Sequence, residues 1–88
     1  MGNSFDKEKY RGKIAKVGEL INMVENSERR GIYPGESDHQ TLLNLIQLSG
    51  YFRVCIARYE RGEEFTEEDY RKMRNFEAKF DNLINKIE

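Results

Sequence analysis

The stretch Leu42-Leu43-Asn44-Leu45-Ile46-Gln47-Leu48-Ser49-Gly50-Tyr51-Phe52-Arg53-Val54-Cys55-Ile56-Ala57-Arg58-Tyr59 decides the fold. Wound at about 100° per residue, Leu42, Leu45, Ile46, Leu48, Phe52, Cys55, Ile56 and Tyr59 fill one broad apolar arc. Leu43, Gly50, Val54 and Ala57 form a second, narrower stripe. Both surfaces need cover. Either this is the middle helix of three and touches two neighbours, or the second stripe joins another subunit. The two explanations stand close together, because with only three helices per chain a dimeric bundle buries such a stripe more completely. Gly50, beside Ser49 in mid-helix, suits close packing of another backbone or a kink, and close packing is the expectation.

Similar seams lie on either side. Tyr10, Ile14, Val17, Ile21 and Val24, widened by Leu20, repeat the 3,4 spacing of Leu45, Leu48, Phe52, Cys55 and Tyr59. Met73, Phe76, Phe80, Leu83 and Ile87 repeat it again. Three such seams predict an all-α, antiparallel three-helix bundle with helices at about 4–27, 38–61 and 66–87. The last two form a helical hairpin, and the 88 residues make a single domain.

Local signals set the expected boundaries. Asn3 or Ser4 caps the first helix, with Asp6 in its first turn. The connection 28–36 is the longest irregular stretch, with Pro34-Gly35 suited to a type II turn. Ser37 and Gln40 form a capping box for the second helix. Gly62 stops that helix, and Gly62-Glu63-Glu64 is the short link to the third. Thr66 and Asp69 make the clearest capping box, with Phe65 and Tyr70 closing a hydrophobic staple. Glu67 with Arg71 and Glu68 with Lys72 add ion pairs one turn apart. Opposite the first seam, Gly12, Ala15 and Gly18 mark either close approach by a second helix or a merely exposed face, since each helical Gly costs about 1 kcal/mol against Ala.

Fifteen basic and 16 acidic residues leave a net charge of -1, which gives no global field for nucleic acid or an anionic membrane. The basic residues of the first helix split, Lys7 and Arg11 on one side and Lys9, Lys13 and Lys16 on another, so nucleic-acid binding is not expected. No apolar run nears the roughly 18 to 20 residues of a membrane span. Met1 to Tyr10 lacks the pattern of an export leader, and Gly2 lacks the Ser or Thr that completes a myristoylation signal. A lone cysteine points to the cytoplasm.

Reactive groups do not converge, so no enzyme and no cofactor is expected. His39 sits in a first helical turn facing solvent, and Cys55 lies on the apolar arc as a small hydrophobe. Glu63, Glu64, Glu67, Glu68 and Asp69 match no calcium loop, so no metal is expected. Candidate binding residues are Arg29, Arg30 and Tyr33, a guanidinium pair beside an aromatic. Tyr51 joins them as an exposed aromatic among Asn44, Gln47 and Arg58. The favoured reading is a noncatalytic protein-binding or regulatory protein acting as a homo-oligomer through Leu43, Gly50, Val54 and Ala57. The alternative is a binder of a small anion or nucleotide using the Arg29/Arg30/Tyr33 loop.

Overall fold

Helix α1 (Lys7–Arg29) begins at Asp6, whose carboxylate accepts from the Lys9 backbone N–H at 3.1 Å. The cap is therefore Asp6 rather than Asn3 or Ser4, which lie outside the described residues. The computed structural model describes residues 5–32 and 35–87. Phe5, just before the cap, is buried against Tyr10, Tyr59 and Phe65 at ring separations of 5.1–5.2 Å. That anchor places Asp6, expected in the first turn, at the cap.

α1 also outlasts its expected end. Gly31 takes φ +79°, the Ile32 N–H donates to the Ser27 carbonyl at 2.9 Å, and the Gly31 N–H donates to Glu28 at 2.9 Å. This is a Schellman closure, which satisfies the last free carbonyls of the helix. Arg29 thus belongs to the final turn, and the irregular connection is shorter than 28–36.

Helix α2 (Glu36–Glu60) starts after Gly35, an extended residue, so Ser37 falls inside the helix rather than at its N-cap, and its side chain lies outside what the structure describes. Gln40 instead donates to the Asn44 side chain at 3.4 Å, one turn along the same helix. α2 ends as α1 does. Gly62 has φ +81°, and Glu63 and Gly62 donate to the carbonyls of Arg58 and Tyr59 at 3.1 and 3.0 Å.

Helix α3 (Glu67–Ile87) follows the expected capping box in both directions. The Thr66 N–H donates to Asp69 at 3.0 Å, and the Asp69 N–H donates to the Thr66 hydroxyl at 3.1 Å. The staple also forms, with Phe65 and Tyr70 ring centroids 5.8 Å apart. The ion pairs expected between Glu67 and Arg71 and between Glu68 and Lys72 are absent among the described residues. Exposed pairs gain too little to hold two long side chains in one geometry.

The three helices form an all-α, antiparallel bundle. Lys7 and Arg11 near the start of α1 meet Glu60 at the end of α2, and Arg58 at the end of α2 meets Asp69 at the start of α3. α2 is central. Leu45, Phe52 and Cys55 of α2 and Met73 of α3 are its most deeply buried side chains, joined by Tyr10, Val17 and Leu20 of α1 and Phe80 of α3. The expected α2–α3 hairpin forms, α2 packs still more extensively against α1, and no Cα of α1 comes within 8 Å of one in α3. Long side chains bridge that seam instead. Lys13 reaches Asp81 at 2.8 Å and Glu77 at 3.6 Å, and Lys9 reaches Glu77 at 3.3 Å. Among the described residues no helix is long and apolar enough to cross a membrane.

The glycines give substitutions of opposite sign. A Cβ at Gly12 or Gly18 meets nothing within 4 Å, so Gly12→Ala and Gly18→Ala should each stabilise the fold by up to about 1 kcal/mol in urea denaturation. Gly62→Ala should cost about 1–2 kcal/mol, because its positive φ is strained for any L side chain.

Candidate interaction surface

α1 and α3 flank α2 on either side of its broad apolar arc, and neither reaches the opposite stripe. Leu43 is 42% exposed, Val54 57% and Ile46 39%, with Ala57 exposed between charged neighbours. Ile46 was expected on the inner arc. It falls at that arc's edge, about 60° from Leu43, and so joins the outer face. From Leu43 to Ala57 the stripe runs about 21 Å along the helix. Touching two neighbours accounts for the broad arc alone and leaves the second stripe uncovered among the described residues.

Gly50 lies at the middle of this stripe. A Cβ there meets nothing within 4 Å, so no other helix of the chain packs closely on it. The expected close approach is not made within one chain. Gly12 and Gly18 are likewise open, as on a merely exposed face.

Two expected ligand contacts also join the α2–α3 hairpin. Tyr51 is half-buried rather than exposed, its ring edge-on to Phe76 of α3 at 4.6 Å. Burial pushes its pKa well above the ordinary tyrosine value. A wheel fixes where its Cα sits but not how far the ring reaches. Arg58 binds Glu63 at 3.3 Å and Asp69 at 3.4 Å, and its guanidinium lies 4.9 Å from the Phe65 ring centre. It clasps the α2–α3 turn.

The other candidates separate. Arg29 ends α1 and Arg30 is its C-cap, beside the negative end of the helix dipole, while Tyr33 lies outside the described residues. Among the described residues no three His, Cys, Asp or Glu side chains converge on a metal position. Glu63 and Asp69 of the acidic cluster are held by arginines and by the Thr66 cap. Cys55 is 1% exposed, and burial raises its thiol pKa despite the neighbouring Tyr51 and Arg58. His39 is exposed. Two exposed side chains were not singled out by sequence reasoning, Met23 and Ile32. They border a cavity of about 190 Å³ at the far end of the bundle, with Val24, Leu42 and Ile87. The chain matches no protein-family model, no curated protein and no solved structure.

The buried and paired groups set the pH response. Burial, then the Glu77 charge, pushes Tyr10 from its ordinary 10.0 to about 12, so its contribution to stability is full below pH 10 and lost as pH rises toward 12. A spectrophotometric alkaline titration should show Tyr10 and Tyr51 ionising last, together with unfolding. At acid pH the sign reverses. The Thr66 backbone N–H, then Arg58, holds Asp69 below its ordinary 3.8, and Arg61, then Arg58, holds Glu63 below 4.5. Their contributions persist above these ordinary values and fade as pH drops through the lowered ones. Thermal melts across this range should show a shallower acid decline in Arg58→Met than in the parent.

Proposed function

We propose that this chain is a noncatalytic, cytoplasmic interaction protein that self-associates through the outer face of α2 and thereby presents its remaining helix faces to a protein partner. One observation carries the reading. Leu43, Ile46 and Val54 stand open to solvent on the central helix, the element with the most neighbours in the fold. Exposed apolar side chains are ordinary when scattered singly; aligned along one helix face they mark an interaction site.

The placement of reactive groups supports a role without catalysis. The one thiol is buried with a raised pKa, and Arg58 is committed to its carboxylates. The anion-binding alternative gains no support from Arg29 and Arg30, which compensate a helix C-terminus. Light scattering over a concentration series tests self-association. The parent should form dimers or larger assemblies by high micromolar concentration, and Leu43→Lys and Val54→Lys should be monomeric with undiminished helical circular dichroism. A parent that stays monomeric throughout removes the reading.

A further inference from the structure

We infer that two copies of α2 pair antiparallel across a twofold axis at Gly50. This rests on the self-association reading and names the partner as a second copy in one orientation. The outer residues Leu43, Ile46, Gly50, Val54 and Ala57 are spaced three, four, four and three, the same read in either direction from Gly50. A twofold axis there sets Leu43 against the partner's Ala57, Ile46 against the partner's Val54, and Gly50 against the partner's Gly50. Each large side chain then meets a smaller one, and the surface complements itself as an isologous contact must.

The parallel alternative fits worse on two counts. It sets Leu43 on the partner's Leu43 and Ala57 on the partner's Ala57, which wedges one end apart and leaves the other slack. It also aligns the two helix dipoles. Across the antiparallel axis, Arg53 lies opposite the partner's Gln47, because the two are three residues either side of Gly50.

The same geometry accounts for the central glycine. In one chain, Gly50 weakens α2 with no contact in return, since the space above it is open. At the crossing point of two helices, the missing side chain lets the backbones approach. The Gly50 surface then has a use that the isolated bundle does not give it.

Thiol cross-linking separates the orientations. Cys55 is buried and stays silent, so single cysteines are placed on the outer face. Under mild oxidation Gly50→Cys should give a covalent dimer, as should a chain carrying both Leu43→Cys and Ala57→Cys. Leu43→Cys alone and Ala57→Cys alone should stay largely uncoupled, because each lies far from its own copy and a disulfide tolerates Cα separations of only about 4.4–6.8 Å. Dimers from Leu43→Cys alone and from Ala57→Cys alone mean a parallel pair, which overturns the orientation and leaves self-association standing. Should none of the variants couple while the parent still associates in light scattering, another face is the interface, and the assignment to α2 is wrong. If the parent is monomeric, both readings fall together. The double variant keeps the test decisive if a side chain at Gly50 itself pushes the helices apart.

Discussion

The Phe52 ring is the contact on which the bundle depends. It is fully buried on α2, with the Tyr10 ring of α1 at 4.9 Å and the Phe80 ring of α3 at 5.6 Å. Since α1 and α3 share no close backbone contact, the outer helices are held in place largely through what each makes with α2. Emptying a buried Phe position forfeits about 3–5 kcal/mol, a large share of the roughly 5–15 kcal/mol that holds a domain folded. A helix with that task must be apolar over a wide arc, which explains its first face and leaves its second unexplained by the monomer.

Much of this was legible in the sequence wherever the signal was local. Thr66, Asp69, Phe65 and Tyr70 lie within one turn of one another, so the start of α3 follows from residue types alone. Gly62 is as plain. Gly31 carries the same left-handed signal, yet the polar run around it reads as loop, because nothing in the residues reveals that Ile32 closes back on Ser27. The start of α1 was ambiguous for a different reason: Asn3, Ser4 and Asp6 can all cap, and the choice is made by Phe5 finding an aromatic cluster contributed by residues more than fifty positions away. Tertiary contacts of that kind leave no local trace.

The candidate site divides along the same line. The outer stripe was readable because exposure on a helix follows angle, and Leu43, Val54 and Ala57 are where angle puts them. For Tyr51 and Arg58, reach as well as angle decides what a long side chain touches. The Tyr51 ring extends across to Phe76, and Arg58 spans the turn to Glu63 and Asp69. Residues that look available on a wheel are thus spent on joining α2 to α3, and the shorter apolar ones beside them are left outside.

The seam between α1 and α3 has a further consequence. Its polar links are Lys9 and Lys13 with Glu77 and Asp81 and the Tyr10 hydroxyl donating to Glu77 at 3.5 Å, whereas the α1–α2 seam carries Lys7 and Arg11 on Glu60. Dissolved ions screen exposed charge over about 8–10 Å at ordinary ionic strength and leave apolar contacts intact or strengthened. Salt therefore acts on this molecule anisotropically. Lys13 and Glu77 keep only 17% and 20% of their side-chain surface in solvent, so their pair across α1 and α3 is screened less than Arg11–Glu60 across α1 and α2, where both side chains are about half exposed.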